Sequence, residues 1–387
     1  IGVISVPYAF ALTGYSSLLL VLLVICITTK TAFFIGASLK MAEKSPDAVD
    51  VPRRARDFAF LAFVAFGERG RQLIGAITCV EIWFALVTFV VMAGVNATLV
   101  LPISTVEAII VTCILATLIV FLPMRIYAYV SLISSAALLV AVVAMVGAAL
   151  AMPSWANPYV SLGIPALVQI RNMPKSVGII LFCFAGHPCF PVVYESMADR
   201  SAWAWQKAVT TTFILASVYY GGLGCFGYLV FGQDLSVTFT ENIAEIEGAL
   251  WAHNLSSLAF LVKILLSAPI LMSAIMVSAF PPPIGSMWPP AQILALLLLA
   301  AFTAFTAVAF AHSVAVVASF TGNCLCMTTS VIFPTAVHLR LSYLLGNPEN
   351  SGKLASPNFL MHYLIIAFGV VMAVLGTGMA VCEQLRG

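Results

Sequence analysis

The sequence predicts an all-α polytopic membrane protein with about eleven transmembrane helices. The chain of 387 residues is 62% hydrophobic and only 8% charged, with a mean hydropathy of +1.09, whereas an ordinary soluble domain has roughly 25% charged residues. Apolar runs of about twenty residues recur along the whole chain, and an α-helix needs this length to cross the hydrocarbon core of a bilayer. We therefore expect one transmembrane domain that covers residues 1–387.

The spans follow from the positions of the apolar runs. The first is too short to cross a bilayer and contains Gly2 and Pro7, so we expect the sequence to start inside a broken first span. A long polar connection, Met41–Arg71, separates the second span from the third. The predicted spans are Ile1–Leu12, Ser17–Lys40, Gln72–Leu101, Thr105–Leu122, Ile126–Met152, Ser176–Met197, Trp205–Phe231, Ala249–Phe280, Ala291–Phe310, Ser313–Leu339 and Phe359–Cys382.

The distribution of lysine and arginine predicts the orientation, because cytoplasmic loops carry an excess of both. With the basic connection Met41–Arg71 in the cytoplasm, Arg200, Lys207 and Arg340 fall on the same side. We therefore predict that the missing amino-terminal segment is cytoplasmic and that the carboxyl terminus at Gly387 is lumenal or extracellular.

The stretch Ala185–Pro191 interrupts the sixth span. It places Gly186, His187, Pro188 and Pro191 within an otherwise apolar run. A broken membrane helix exposes backbone groups that lipid cannot hydrogen-bond, so such a break survives only where it lines a cavity or is buried by protein. This stretch is therefore a candidate binding site.

The first span contains a matching pair of breaking residues. Gly2 and Pro7 have the same spacing as Gly186 and Pro191, and the second broken span comes five spans after the first, an odd number, so a repeat of this kind would be inverted. Interrupted segments at corresponding places in two inverted halves point to a midplane binding site. We place repeat one at 1–152, repeat two at 176–339 and an extra span at 359–382. The alternative is that the prolines only kink packed helices.

Breaks of this kind free amide donors at one helix end and carbonyl acceptors at the other. An amino acid zwitterion needs both poles. We predict that its carboxylate lies near the backbone of Gly2, Val3, Ile4 and Ser5. We predict that its ammonium lies near Phe184, Ala185, Gly186 and His187, with the interior amide of Asn96 as a further candidate contact.

Several motifs resemble a known family. The segment Ile1–Phe10 (IGVISVPYAF) resembles the first-span signature of the amino acid/auxin permease family. Phe184–Met197 is similar to its sixth span, particularly in the vacuolar and vesicular inhibitory amino acid transporter branch, and Lys263–Pro269 and Glu81–Asn96 look like the same branch. The resemblance implies a leucine-transporter-like fold of two inverted five-helix repeats with broken first and sixth spans, plus one extra span. It also implies amino acid transport driven by protons or, in other branches, by sodium.

Ionisable groups inside the spans are candidates for ion coupling, since each costs about 2.5 kcal/mol or more at mid-bilayer. An ordinary imidazole titrates near pH 6.5, so His187 is a candidate for proton coupling or gating; alternatively its ring caps carbonyls of the break. Glu81 is either a carboxyl that titrates during transport or the ion-pair partner of Lys30 or Lys263. Glu195, which follows the break, is predicted to form a gate-side ion pair.

Lys263 bears on the coupling ion. It lies four residues before Ser267 and therefore on the same helical face, where its ammonium could take the space that sodium occupies in sodium-coupled relatives of this fold. This favours proton exchange or a sodium-independent cycle. Snorkelling to the interface or pairing with Glu81 is the alternative.

The sequence also argues against other function classes. Metal-ligand and catalytic motifs such as HExxH are missing, and the five histidines do not share a helix face, so we predict no enzyme, no metal site and no cofactor. No nucleotide-binding GxxxxGK[ST] occurs, and nothing indicates nucleic acid. We predict a secondary active transporter of small neutral amino acids that is driven by protons, works by alternating access and resides in a vacuolar or vesicular membrane. Sodium coupling, a channel and a transporter-like sensor are the alternatives.

Overall fold

The structure is a computed structural model, and it describes residues 2–49, 51–122, 124–151, 168–246, 248–279, 289–345 and 359–386. These residues form helices joined by short connections. The helices are α1 (Gly2–Thr13), α2 (Ser16–Ala42), α3 (Phe58–Thr98), α4 (Thr105–Val120), α5 (Met124–Ala151), α6 (Met173–Phe184), α7 (Phe190–Ser196), α8 (Ala202–Phe231), α9 (Phe239–Ala244), α10 (Leu250–Ala279), α11 (Pro290–Ala309), α12 (Val314–Phe320), α13 (Phe333–Leu345) and α14 (Leu360–Arg386).

The helices confirm the predicted membrane architecture. Each of the eleven predicted spans coincides with helical structure, and nine helical segments of the described residues are long and apolar enough to cross a bilayer. The two shorter ones are α1 with 12 residues and α4 with 16. Large apolar side chains such as Leu19, Leu132 and Val218 are 69%, 69% and 71% exposed, as expected for surfaces that face lipid. The chain is a multi-pass integral membrane protein.

The chain forms two compact units. Unit 1 comprises Ile1–Gly14, Ile82–Val168 and Leu223–Ala318, and unit 2 comprises Tyr15–Glu81, Gln169–Gly222 and Ser319–Gly387. Each unit contains parts of both predicted repeats. The repeat boundaries deduced from the sequence therefore stay a prediction.

Unit 1 is built around α10, which packs along α5 and α4, while α11 packs on α4 and α9 packs on α10 and α1. Its core contains the fully buried rings of Phe10, Tyr228, Phe239 and Phe260. Gly224 allows close contact with Phe10 because a Cβ there would overlap the phenyl ring.

Unit 2 is built around α2, which packs on α13, α6 and α7. Between α12 and α13 the helix is widened into two π-helical segments, Thr321–Cys326 and Thr328–Ile332. The first π segment packs on α6, and α14 packs on α6 and on both π segments. A salt bridge of 2.6 Å from Lys175 Nζ to Glu383 Oε1 joins the start of α6 to the end of α14.

The structure corrects the interruption expected between Gly2 and Pro7. Residues 2–13 form one helix with Pro7 inside it, so the helix is not interrupted at the proline. A proline removes one backbone hydrogen bond, and membrane helices tolerate this where neighbouring groups satisfy the freed carbonyl. The segments Gly2–Pro7 and Gly186–Pro191 therefore share the spacing of their glycine and proline but differ in backbone conformation.

The structure also shortens the predicted polar connection before the third span. The helix α3 already begins at Phe58, and Gly67 lies within it at φ 73° and ψ −166°, where the helix axis is kinked. A positive φ of this size favours glycine, which has no Cβ. The apolar run before Gly67 is therefore helical, whereas the sequence predicted that the third span starts at Gln72.

Candidate functional site

The break in the sixth span lies at residues 185–189, within the predicted stretch Ala185–Pro191, because α7 already begins at Phe190. The helix α6 ends at Phe184, Ala185 is extended, and Gly186 turns the chain into a single 3₁₀ turn, His187–Cys189, before α7 begins. The amide of Cys189 donates to the Gly186 carbonyl over 3.0 Å. Pro188 and Pro191 each lie in the first turn of a helical element. Backbone N–H groups at this position have no helical partner, so the missing N–H of proline costs no hydrogen bond.

His187 anchors the break to α2. Its side chain is fully buried, and its Nε2 atom lies 3.0 Å from the carbonyl oxygen of Thr28 and 3.0 Å from the hydroxyl of Thr31. A carbonyl oxygen can only accept, so we assign the hydrogen to Nε2. The Thr31 hydroxyl in turn donates to the Ser330 carbonyl over 2.7 Å. The break, α2 and the second π segment thus share one chain of hydrogen bonds.

The other ring nitrogen of His187 is unsatisfied. Nδ1 is buried, and no hydrogen-bond partner for it exists among the residues that the structure describes. With the hydrogen on Nε2, Nδ1 carries a lone pair that can accept a hydrogen bond from an ammonium or bind a proton. Nε2 contacts a carbonyl of α2, whereas the sequence suggested capping of carbonyls in the break itself.

Glu81 is a second buried titratable group in unit 2. The residue is 7% exposed, and the Thr329 hydroxyl and the Cys326 thiol lie beside its carboxylate, with Cys189 of the break nearby. Its Oε2 atom has no hydrogen-bond partner in the described part of the chain.

The ion pair with Lys30, one of the two alternatives for Glu81, is not found among the described residues. Within the described part of unit 2, Glu81 has no lysine or arginine partner, and the Lys30 ammonium lies 5.7 Å from the ring centroid of Phe34. A buried carboxylate without a cation is energetically costly. Glu81 therefore needs a proton or a bound cation to be stable in this position.

The π segments supply residues that the sequence analysis missed. They place Cys326 and Thr329 beside Glu81, and the Ser330 carbonyl at the Thr31 hydroxyl. π turns are rare and occur frequently at functional sites. The available signal was compositional, since Thr28 and Thr31 in the second span, like Thr328–Ser330 in the tenth, interrupt otherwise apolar runs.

Aromatic rings cover the His187 side of the break. The ring centroid of Phe190 lies 4.7 Å from that of His187, and Phe213 of α8 lies 6.2 Å from it. Trp205 packs edge-on against Phe190 at 5.9 Å, and its Nε1 donates to the Ala32 carbonyl of α2 over 3.0 Å. The break is thus packed between α2 and the aromatic face of α8.

Glu195 forms the ion pair that the sequence predicted. Its Oε2 atom lies 2.9 Å from Nη1 of Arg200, and the same guanidinium nitrogen lies 3.0 Å from Oε1 of Glu43. Arg56 reaches Glu43 over 3.4 Å. This network ties the end of α7 to the end of α2.

Lys263 and Ser267 lie together in unit 1. The Lys263 ammonium donates to the Ser267 hydroxyl over 2.9 Å, which confirms that both share one face of α10. Ser134 of α5 lies 3.1 Å from the Ser267 hydroxyl and donates to the Lys263 carbonyl over 3.4 Å. These contacts join α5 to α10.

The remaining predicted contacts also lie in unit 1. Gly2, Val3, Ile4 and Ser5 form the first turn of α1, and Ser5 is 4% exposed with a hydroxyl that lacks a partner among the described atoms. The side chains of Val3 and Ile4 lie outside the described part of the structure. Asn96 is fully buried and donates to the Met92 carbonyl over 2.8 Å. Their roles in substrate binding stay predictions.

Comparison with known proteins identifies the family. The family model of transmembrane amino acid transporter proteins matches residues 1–382. The chain belongs to this family. The amino acid transporters AVT1I, AVT1H and AVT1D of Arabidopsis thaliana are 24%, 24% and 26% identical to it, over 98%, 97% and 98% of this chain. These matches cover 90%, 85% and 67% of the three relatives.

A solved structure supports the fold. The crystal structure of a manganese transporter from Eremococcus coleocola superimposes with a TM-score of 0.58 at 15% identity, over 98% of this chain and 83% of that one. At this identity the likeness shows the fold alone, which is leucine-transporter-like.

Family membership confirms the resemblance seen in the sequence. The protein transports amino acids across a membrane, and it is a transporter rather than an enzyme.

Proposed function

We propose that the protein is a secondary active transporter of small neutral amino acids that is driven by a proton gradient. One observation carries the proposal: two buried titratable groups of unit 2, His187 within the break and Glu81 near Cys189 of the break, each have an atom without a hydrogen-bond partner among the described residues. Buried ionisable groups in a membrane mark ion and substrate pathways.

His187 is the proposed proton acceptor. Its Nε2 atom is held by Thr28 and Thr31, so a proton gained during transport binds at Nδ1. The resulting imidazolium would keep its bond to the Thr28 carbonyl and would gain a positive charge directly at the break. Transport and protonation are thereby coupled, since the substrate ammonium and a protonated His187 would repel each other.

Glu81 is the proposed second proton carrier. Its unpaired Oε2 atom can bind a proton, or its carboxylate can pair with the substrate ammonium. Either role removes the cost of an isolated buried charge. If the Glu81 carboxyl loses its proton when the substrate ammonium binds to it, substrate binding and proton binding directly affect each other.

The proposed substrate is a small amino acid with a neutral side chain. Its ammonium would lie near residues 184–187, where the end of α6 leaves carbonyls without helical partners. The aromatic rings of Phe190 and Phe213 beside His187 favour an uncharged side chain.

Alternating access requires one side of the break to open. The Glu195–Arg200 ion pair, which joins α7 to the α2 end through Glu43, is the proposed gate on that side. In the predicted orientation this side is cytoplasmic. The membrane we propose is vacuolar or vesicular, because an acidic lumen would supply a proton to the neutral imidazole of His187.

Lys263 favours protons over sodium as the coupling ion. Its ammonium occupies the space beside the Ser267 and Ser134 hydroxyls, which are oxygen ligands of the kind that a sodium ion would use. Displacement of the ammonium by sodium would cost the hydrogen bond to Ser267. We therefore expect transport without sodium.

The test is uptake into liposomes by the purified transporter. A panel of labelled amino acids is offered with an imposed pH gradient, a sodium gradient or neither. We expect accumulation of small neutral amino acids under the pH gradient alone, and a flattened pH profile in His187→Gln. Glutamine keeps a polar side chain but cannot bind the proton.

His253→Gln is the matched control. His253 is also buried, its Nε2 atom lies 2.9 Å from the Leu99 carbonyl, and its Nδ1 atom lacks a partner among the described residues, but it lies in unit 1.

Accumulation under the sodium gradient alone would show that sodium, and not the proton, is the coupling ion. Equilibration without accumulation under any gradient would indicate a channel, and no uptake at all would indicate a sensor.

A further inference from the structure

Two histidines that are distant in the sequence form a side-by-side pair in unit 2. His338 lies on α13 and His362 in the first turn of α14. Nδ1 of His338 is 2.9 Å from Nε2 of His362, the ring centroids are 5.1 Å apart, and the ring planes differ by 6°. Nearly parallel rings with so short an N···N distance lie edge to edge in a common plane, so one imidazole donates its N–H to the lone pair of the other.

An aromatic ring of α2 covers this pair. The centroid of Phe34 is 4.4 Å from that of His338 and 4.5 Å from that of His362, and its ring is inclined by 21° and 17° to theirs. Phe34 is 5% exposed and His362 is equally buried. Nδ1 of His362 is buried and has no hydrogen-bond partner in the described ranges.

Among the residues that the structure describes, Lys30 places a fixed charge near the pair. Lys30, one helical turn before Phe34 on α2, lies close enough for its ammonium to act on both imidazoles. On α13 the neighbouring Arg340 is exposed and lies over the ring of Tyr343. Among the described residues, no acidic side chain forms an ion pair with either histidine.

This arrangement is suited to bind one proton reversibly. Protonation converts the N–H···N contact into a charge-assisted hydrogen bond, which is roughly twice as strong as a neutral one. The face of Phe34 attracts the new positive charge by a cation–π interaction. Lys30 opposes that charge because like charges repel. The balance between these effects sets the pH at which the pair gains its proton.

We propose that His338 and His362 together form a proton-binding site that is distinct from His187 and is linked to it through α2. Thr31, which bonds His187, and Phe34, which covers the pair, are three residues apart on α2 and so about 4.5 Å apart along its axis. A proton bound at the pair therefore acts on the helix that also holds the break. In the predicted orientation this site lies on the cytoplasmic side.

The role of this site in transport rests on the proposed proton-driven function, whereas proton binding itself does not. The test therefore begins without transport. The full-length transporter, labelled with isotopic histidine and embedded in lipid nanodiscs, is titrated between about pH 4 and pH 8 while its imidazolium bands are followed by infrared difference spectroscopy. We expect one titrating band to disappear in His338→Gln and in His362→Gln.

His312→Gln is the control, since His312 is exposed and the band of the pair must persist in this variant. Two further variants keep both histidines. Lys30→Gln removes the like charge and is expected to move the midpoint of the band to higher pH by about 0.5 to 2 units. Phe34→Leu removes the aromatic face and is expected to move it to lower pH. A pair variant with the wild-type titration, or an unchanged midpoint in Lys30→Gln, would overturn the proposal.

Transport then separates this inference from the proposed function. Uptake by Lys30→Gln should show the same shift in its pH profile as the infrared band. If no proton gradient drives uptake but the band titrates as expected, the proposed function fails and the site stands. If uptake is proton-driven but no band depends on His338 and His362, the site fails and the proposed function stands.

Discussion

At the scale of single residues, Arg200 makes two ion pairs just beyond the end of α7. Its Nη1 atom bonds Glu195, whose side chain is 3% exposed, and Glu43, whose side chain is 33% exposed. The Glu195 carboxylate has no other cation partner among the described residues, and its second oxygen lacks a hydrogen bond. Loss of the guanidinium would therefore leave a buried charge at the end of α7.

Arg200→Gln is expected to destabilise the transporter by about 1 to 3 kcal/mol, since it leaves Glu195 buried and unpaired. The measurement is thermal unfolding in detergent, followed by intrinsic tryptophan fluorescence. Adding Glu195→Gln to the variant should recover more stability than adding Glu43→Gln, because the better solvated Glu43 loses less.

Lys207→Gln provides the control for this experiment. Lys207 lies in the second turn of α8, seven residues after Arg200, and is exposed, with its ammonium 4.8 Å from the Trp203 ring centroid. Equal melting temperatures for Arg200→Gln and Lys207→Gln would show that the ion pair does not stabilise the end of α7.

At the scale of elements, the first π segment meets α6 backbone to backbone. A Cβ at Gly322 would overlap the carbonyl oxygen of Gly178, and one at Gly178 would overlap the side chain of Asn323. Asn323 donates to the Pro174 carbonyl over 2.9 Å. The approach of these elements holds α6, and with it the start of the break, against the widened helix.

Gly322→Ala is expected to separate these elements and to cost about 1 to 3 kcal/mol, as overpacked cores do. Both the melting temperature and the uptake rate should fall, because the start of the break would move. Gly378→Ala is the matched variant, since a Cβ at this glycine of α14 meets no atom within 4 Å in the described structure. If the Gly322→Ala protein is as stable as the Gly378→Ala protein, the close contact between the first π segment and α6 is contradicted.

At the scale of the whole molecule, the orientation in the membrane is the main open prediction. The connection between α2 and α3 carries Arg53, Arg54 and Arg56, whereas the connection between α8 and α10 carries Asp234, Glu241 and Glu245. Basic connections remain in the cytoplasm during insertion. The two connections should therefore lie on opposite sides, with the basic one cytoplasmic.

Cysteine labelling tests this orientation. In a background without native cysteines, Val49→Cys and Glu245→Cys each place one thiol at an exposed position. In sealed vesicles with the cytoplasmic face outward, an impermeant maleimide should label Val49→Cys before lysis and Glu245→Cys only after lysis. The reverse pattern would invert the orientation, and labelling of both before lysis would place both connections on one side.

Much of this architecture could be predicted from the sequence because its causes are local. The length of each apolar run specifies a helix, and the glycine and prolines of residues 186–191 specify a break at 185–189. The same local motifs indicated the family. Prediction was less successful where the same residue type can occur in different local structures. Pro7 lies inside a continuous helix and does not interrupt it, and α3 begins before the kink at Gly67, whereas the predicted span began after it.

The sequence by itself therefore determined the number and place of the membrane-spanning helices, the break in the sixth span and the family. Only the tertiary structure decided which polar groups meet. His187 bonds Thr31, 156 positions away, Glu81 meets the π segments rather than Lys30, and His338 joins His362 from a separate helix. Such contacts depend on how each helix is rotated about its axis and packed on its neighbours, and no local pattern of residues specifies that rotation.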